Sequence, residues 1–341
     1  MAFIQGVIIM LVLASAHNGI SIVEAQLDPG VCYGRQGSNL PPASKVVAMY
    51  KQYGIRNMRL FDPDLDVLTA LKGQQIQVTL GVHNQDLPKL VVIDAAKSWY
   101  NTYVQNFPDV PIRLIAVGNE VIPGEFSQYV LPVMQNFQTI ISSSNGTVIG
   151  VTTVVSMDTM SATYPPSSGA FKAEASSVMT GLLSFLASHN YPLLLNAYPY
   201  FPYAANPGDV SLAYAQFTAP GPVVHDGGLD YWNLLDAMVD SVYAAMEKVG
   251  MPNVAILISE SGWPSAGNGD FTTAGLAATY NQNLLKKFSS QTGTPRRPSN
   301  KLTGYIFAMF NEDLKPTGIE QHWGCSIPMA HPFIVFSASN Y

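Results

Sequence analysis

The stretch ILISESGWPS, Ile256–Ser265, places an ionisable side chain at the end of a strand. The apolar residues that open it are typical of a strand buried on both faces. Glu260 follows where this strand ends, and Ser-Gly-Trp-Pro begins a turn. Because an unpaired buried charge is costly, a carboxylate at this point requires a local role.

Similar β-like runs recur along the chain, with helical patterns between them. They cover residues 31–34, 55–61, 76–82, 112–120, 148–154, 193–201, 254–260 and 305–310. The clearest helical pattern is 231–250, which ends in Lys248 and Gly250. Eight such repeats in 341 residues predict the α/β class and a single-domain (β/α)8 TIM barrel.

An open doubly wound sheet is the alternative architecture. It is disfavoured because no glycine-rich phosphate loop follows the first run. The segment Pro199–Leu229, rich in Pro, Gly and Tyr, is interpreted as an elaborated loop after the sixth strand. No low-complexity linker or internal repeat divides the chain.

Two glutamates occupy equivalent places in the predicted barrel. Glu260 ends the seventh strand and Glu120, in IAVGNEV, ends the fourth. Catalytic groups of such barrels lie at the carboxyl ends of strands, and a pair of carboxylates is what glycoside hydrolysis requires. A solvated or salt-bridged loop residue is the alternative for each glutamate alone, but two matched positions favour a catalytic pair. The rival acidic cluster, FDPDLD with Asp62, Asp64 and Asp66, has a turn context that favours helix capping.

Composition excludes several other functions. The net charge is −6, and no basic stripe is available to neutralise phosphates, so we predict no nucleic-acid partner. The adjacent pair Arg296 and Arg297, in TPRRPSN, is interpreted as a solvated turn. The sequence contains no His-x-x-x-His motif and no Cys-His cluster, so we predict no catalytic metal. It also lacks a Gly-x-Ser-x-Gly motif, which disfavours a serine hydrolase.

The amino terminus predicts secretion. Residues 3–16 form an apolar run too short to span a bilayer, and small residues precede a cleavage point at Gln26. We therefore predict a signal peptide over 1–25 and a catalytic domain over 26–341, without a membrane span. Asn145 lies in a glycosylation sequon. The two cysteines, Cys32 and Cys325, could pair in an oxidising compartment, but we favour free buried thiols.

The order of motifs resembles plant members of glycoside hydrolase family 17, the endo-1,3-β-glucanases and 1,3;1,4-β-glucanases. The motifs are GVCYG, AVGNEV, LLLNAYPYF, ILISESGWPS, TYNQNLLKKF, GTPRRP and YIFAMFNEDLKP. The resemblance runs from about Gly30 to Gly324 and weakens in the segment that begins at Cys325. It implies a retaining mechanism with Glu120 as acid/base and Glu260 as nucleophile.

The resemblance also implies a set of substrate contacts. These are Tyr33, Asn119, Asn196, Tyr198, Phe201, Phe307, Glu312 and Lys315. Trp263 and Tyr200 are further candidates for stacking on sugar rings, with packing in the core or at the rim as the alternative. Glu312 and Lys315 are predicted to form an ion pair beside Glu260 that keeps this glutamate charged.

The predicted function is that of a secreted endo-β-1,3-glucanase acting on callose or fungal-wall glucan. We expect a location in the cell wall, the apoplast or the vacuole. A mixed-linkage 1,3;1,4-β-glucanase and a non-catalytic glucan-binding protein are the alternatives. We further predict a monomer that binds β-glucan and uses no cofactor.

Overall fold

The computed structural model describes residues 28–144, 148–327 and 334–335. The predicted signal peptide and the sequon at Asn145 lie outside these ranges. Of the divergent carboxyl-terminal segment, the described part includes a short antiparallel pair of strands, Ser326–Ile327 and Ile334–Val335.

Eight parallel strands close into a barrel, as the sequence predicts. In chain order they are β1 (Gly30–Tyr33), β2 (Asn57–Leu60), β3 (Gln77–Val82), β4 (Ile112–Asn119), β5 (Gly150–Ser156), β6 (Leu193–Asn196), β7 (Ile256–Ser261) and β8 (Gly304–Ile306). Each strand pairs with its neighbours in sequence, and β8 closes the ring against β1. Strands β4 and β7 are three positions apart in this ring, so their ends face one another across much of the barrel mouth.

Helices connect the strands on the outside of the barrel. They are α1 (Ala43–Gln52), α2 (Leu65–Leu71), α3 (Leu87–Leu90), α4 (Ile93–Tyr100), α5 (Ser127–Ser142), α6 (Ala173–His189), α7 (Tyr200–Ala205), α8 (Leu212–Ala215), α9 (Leu234–Lys248) and α10 (Ala274–Ser289). Within the described ranges, none of them combines the length and the apolar content needed to cross a bilayer.

The ends of the helices follow from local chemistry. Helix α9 begins three residues after the predicted start because the Asn233 side chain accepts the Asp236 N–H at 2.9 Å and caps the first turn. Its carboxyl end is followed by Gly250 at φ +78°, a conformation that glycine adopts without strain. In α2 the cap is Asp64, whose carboxylate accepts the Val67 N–H at 3.0 Å. The capping role predicted for this acidic cluster is confirmed for Asp64.

The segment after β6 is more regular than predicted. Instead of a loop, 199–229 contains α7, α8 and the first strand of a hairpin, Val224–Asp226 with Leu229–Tyr231. A second hairpin, Met160–Ala162 with Ala170–Phe171, follows β5 and was not predicted. Both are too short to show a period in the sequence.

The two cysteines are free thiols in the core. Cys32 on β1 and Cys325 after β8 are each 0% exposed. Burial raises the pKa of both thiols. The preference for free buried cysteines is confirmed.

The interpretation of Arg296 and Arg297 as a solvated turn is wrong. Both guanidinium groups bind Glu247 at the end of α9, and Arg296 does so through Nε at 3.0 Å and Nη2 at 2.5 Å. The Arg296 N–H also donates to Asp240, a carboxyl with 0% exposure, at 2.8 Å. This loop is therefore bound to α9 by charged hydrogen bonds.

We expect Asp240 to make stability depend on pH. Burial raises its pKa from 3.8 to about 6. The folded state therefore favours the protonated form of Asp240. The resulting contribution of Asp240 to the free energy of unfolding is fully present below pH 3.8, the pKa of the unfolded state, and is lost as pH rises through about 6. Between about pH 5 and about pH 7 the loss amounts to about 1 kcal/mol.

Urea unfolding at these two pH values tests the contribution of Asp240. The variant Asp240→Asn should lose less stability than the parent across this interval. Asp94→Asn, at a side chain that is 87% exposed, is the control and should behave as the parent does. Equal pH dependence of the parent and Asp240→Asn would contradict the assignment.

Candidate active site

Irregular pairing turns two glutamates towards the barrel mouth. The register of β4 against β5 shifts between Ala116 and Asn119, and that of β7 against β6 shifts between Ile258 and Glu260. Such bulges redirect the side chain that follows them. Glu120 and Glu260 therefore leave the regular alternation of their strands and line one cleft.

A single amide joins the two carboxylates. The Asn196 Nδ2 atom, at the end of β6, donates to Glu120 Oε1 and to Glu260 Oε1, each at 2.8 Å. The two acceptor oxygens are therefore no farther apart than twice this distance. That limit lies below the roughly 6.5–9.5 Å at which carboxyl groups leave room for a water beside the sugar.

Glu260 is held by donors on both oxygens. Arg59 Nη1 donates to Oε1 at 2.5 Å, and the Tyr198 hydroxyl donates to Oε2 at 2.6 Å. Glu260 is 6% exposed and Arg59 is 2% exposed. The buried guanidinium supplies the opposite charge that a buried carboxylate demands.

Arg59 was not predicted as a site residue. It is the cation beside Glu260, a place that the prediction gave to Lys315. Lys315 forms the predicted pair with Glu312 at 3.2 Å, but the ion pair of Glu260 is with Arg59. The sequence carried a signal, since a cation in the middle of the buried run IRNMRLF needs a carboxylate partner. The partner lies 201 residues away, so the sequence pattern did not identify it.

Glu120 differs from Glu260 in its surroundings. Its side chain is exposed to the open cleft. Desolvation of its carboxyl by the surrounding protein raises the pKa of Glu120, and the nearby charge of Glu260 raises it further. The hydrogen bond from Asn196 lowers this pKa and only partly opposes the two effects. A carboxyl with a raised pKa thus lies beside another that is held by a cation and by neutral donors. This asymmetry is what acid catalysis beside a nucleophile requires.

The cleft has a volume of about 1090 Å³, above the roughly 300–1,000 Å³ of ordinary small-molecule pockets. Besides the two glutamates, it brings together eight predicted contact residues: Tyr33, Asn119, Asn196, Tyr198, Phe201, Phe307, Glu312 and Lys315. Phe201 is 44% exposed, so its ring is available to a ligand. Asp62, from the acidic cluster, also lines the cleft, and burial raises its pKa.

Trp263 does not belong to this surface. It is 1% exposed, its Nε1 donates to the Phe271 carbonyl at 2.9 Å, and its ring packs against Tyr200 and Tyr280. No face is left for a sugar, so its prediction as a substrate contact is wrong, and Tyr200, 1% exposed, is likewise a core residue. The tryptophan that lines the cleft is Trp323, whose ring lies 5.0 Å from that of Tyr198.

The wall after β8 is built around Glu312. Its Oε1 accepts the Gln36 N–H at 2.7 Å and its Oε2 binds Lys315. A side chain at Gly34 would overlap this carboxylate and displace it from these partners. The Lys315 ammonium also lies 4.5 Å from the centre of the Phe307 ring. These contacts fix a charged pair in the wall, and among the described residues no hydrogen bond or ion pair joins it to Glu120 or Glu260.

Metal binding finds no support in the described ranges, where no three His, Cys, Asp or Glu side chains are grouped to hold an ion. The arrangement that remains is a pair of carboxyls, an amide between them and aromatic walls. These are the elements of a site for a carbohydrate.

Comparison with known sequences decides the family. The sequence model described as "Glycosyl hydrolases family 17" matches residues 29–333. The chain belongs to this family. As a family 17 member it is a glycoside hydrolase, and this confirms the predicted class of enzyme.

Relatives in this family are similar over nearly their whole length. A probable glucan endo-1,3-beta-glucosidase of Arabidopsis thaliana is 44% identical, with 93% of each chain covered. A solved beta-1,3-glucanase and allergen of Cryptomeria japonica pollen is 40% identical with a TM-score of 0.84, covering 92% of this chain and 97% of that one. A structure from work on two plant beta-glucan endohydrolases with distinct substrate specificities is 43% identical with a TM-score of 0.83, covering 86% and 95%.

Proposed function

We propose that this family 17 member is an endo-β-1,3-glucanase that cleaves its substrate with retention of configuration. The observation that carries the proposal is the Asn196 amide, which binds both Glu120 and Glu260 and so limits the distance between their oxygens. The linkage comes from the relatives, whose names specify 1,3-β-glucan.

In the first step Glu120 donates its proton to the glycosidic oxygen while the Glu260 carboxylate attacks the anomeric carbon. The carbon–oxygen bond to the leaving sugar breaks, and a glucosyl ester of Glu260 forms. Glu120, now ionised, removes a proton from water, which attacks the same carbon and releases Glu260. Two inversions leave the β configuration of the substrate in the product.

The other residues of the site support these two steps. Arg59 and Tyr198 hold the Glu260 carboxylate in place, and the Arg59 guanidinium is its ion-pair partner. Arg59 Nη2 also donates to Asn119 Oδ1 at 2.6 Å, which leaves the Asn119 nitrogen to donate to a sugar hydroxyl. Phe201, which is 44% exposed in the cleft, offers a ring face on which a pyranose unit stacks.

A mixed-linkage 1,3;1,4-β-glucanase is the second candidate. The observation in its favour is that a similar barrel comes from plant β-glucan endohydrolases with distinct substrate specificities. A non-catalytic glucan-binding protein is disfavoured, because such a protein does not need two carboxyls bound to one amide. We also propose that the protein is secreted, because of the apolar run at 3–16. We further propose that it acts on callose or fungal-wall glucan as a monomer.

Incubation with laminarin and with barley mixed-linkage glucan tests the proposal. Release of reducing ends from laminarin in preference to mixed-linkage glucan supports the 1,3-specific enzyme. The reverse preference supports the second candidate, and binding without release supports the non-catalytic protein. Proton NMR of the first product tests the mechanism, which demands the β-anomer, and an initial α-anomer would exclude it.

A further inference from the structure

The backbone around Glu120 adopts a conformation that its sequence alone does not favour. Gly118 has φ +76° and Glu120 has φ +55°, on either side of Asn119. A side chain other than glycine in this left-handed region costs on the order of 1 kcal/mol or more. Such a conformation persists only where surrounding contacts determine it. The Asn119 backbone, between these two residues, is held by such contacts.

One side chain binds both backbone groups of Asn119. Asn84 Oδ1 accepts the Asn119 N–H at 2.8 Å, and Asn84 Nδ2 donates to the Asn119 carbonyl at 3.0 Å. Strand β3 ends at Val82, where its register with β4 also ends at Val117. The Asn84 amide thus continues the ladder of β3 and β4 by one step, in place of a backbone that has turned away.

Asn84 is itself held by the segment that follows β3. It begins a short turn, Asn84–Asp86, that leads directly into α3, where Leu87 and Leu90 are buried. Leu87 also packs beside Gly118, and a side chain at Gly118 would contact it. On the other side of β4 the Glu120 N–H donates to the Val154 carbonyl at 3.1 Å. The residue before Glu120 is therefore fixed from β3 and Glu120 itself from β5.

We propose that Asn84 is a positioning residue for the acid/base Glu120. This inference rests on the proposed function. By pairing with the Asn119 backbone, Asn84 sets the left-handed turn through which the Glu120 carboxyl reaches the glycosidic oxygen. Glu260 lies on β7, and its carboxylate is bound directly by Arg59, Asn196 and Tyr198. Arg59 and Asn196 also donate to Asn119 Oδ1, at 2.6 and 3.4 Å, but Asn84 binds only the backbone of Asn119. Loss of the Asn84 bonds should then impair proton transfer much more than nucleophilic attack.

The test uses two substrates that differ in their need for an acid. Glucan has a poor leaving group that must be protonated, whereas a 2,4-dinitrophenyl β-laminarioside departs without protonation. In Asn84→Ala we expect kcat/KM on laminarin to fall by roughly 10- to 100-fold, the scale expected when a catalytic group is misplaced. On the activated substrate kcat/KM should stay within a few-fold of the parent. Added azide should speed its turnover and yield a β-glucosyl azide, because azide needs no general base.

A second variant and a control keep the result interpretable. Asn84→Asp keeps the acceptor for the Asn119 N–H and places a negative oxygen against the Asn119 carbonyl, so it should show the same selective loss if Asn84→Ala fails to fold. Asn283→Ala is the matched control, because Asn283 Nδ2 also donates to a backbone carbonyl, that of Gln216 at 2.9 Å, outside the cleft and away from α3. It should leave both activities unchanged.

The remaining outcomes are distinct. Equal losses on both substrates would show that Asn84 supports the whole site or binds the sugar directly, and would overturn the inference. Unchanged activity on laminarin in both Asn84 variants would overturn it as well. Failure of the parent enzyme to act on either substrate would instead contradict the proposed function.

Discussion

Replacing Glu260 with glutamine is expected to abolish glucan hydrolysis while glucan binding persists. Glutamine keeps the size of the side chain and one acceptor oxygen, but it removes the anion that attacks the anomeric carbon. We expect kcat to fall by at least roughly 10⁴-fold, the scale seen when a covalent nucleophile is removed. Reducing-end release from laminarin measures the loss, and retardation on a laminarin affinity gel measures binding.

The control for this prediction is Glu320→Gln. Glu320 also lines the cleft, and it is not among the hydrogen-bond or ion-pair partners of Glu260. Its variant should keep hydrolysis within a few-fold of the parent. If Glu260→Gln did the same, the nucleophile would have to be sought elsewhere in the cleft.

Replacing Glu120 with glutamine should produce a loss that depends on the leaving group. Glutamine cannot donate a proton to the glycosidic oxygen, and general acid catalysis contributes roughly 10²- to 10⁴-fold. We expect a loss of that size on laminarin and a much smaller one for attack on a 2,4-dinitrophenyl β-laminarioside. A pre-steady-state burst of dinitrophenol should appear, because the glucosyl ester then lacks its general base.

The pH dependence of kcat/KM is a second measurement of the role of Glu120. The pKa of Glu120 is raised above its usual 4.5 by desolvation and by Glu260. Activity that needs the protonated form should therefore fall as pH rises through this raised value, and the basic limb of kcat/KM for laminarin should reflect it. In Glu120→Gln this limb should disappear. A variant that retained the parent's limb, or lost equal activity on both substrates, would contradict the acid/base role.

Sequence patterns located the elements and the two glutamates because both depend on local order. Alternation of apolar runs and helical periods identified all eight strands. Position alone placed the two glutamates at strand ends: Glu120 directly follows β4, and Glu260 is the last residue but one of β7. Patterns failed where a residue type fits two environments. Trp263 and Trp323 are both aromatic residues after strands, yet only Trp323 lines the cleft.

By itself, then, the sequence determined the barrel, its helices and which carboxylates reach the mouth, since burial period, helix caps and strand ends are properties of neighbouring residues. Tertiary structure alone decided how those carboxylates are held. Arg59 meets Glu260 across 201 residues, Asn196 meets Glu120 across 76, and Asn84 meets Asn119 across 35. These contacts depend on how the strands pair and on bulges that shift their register by a residue, and a shift of that size redirects each side chain that follows it.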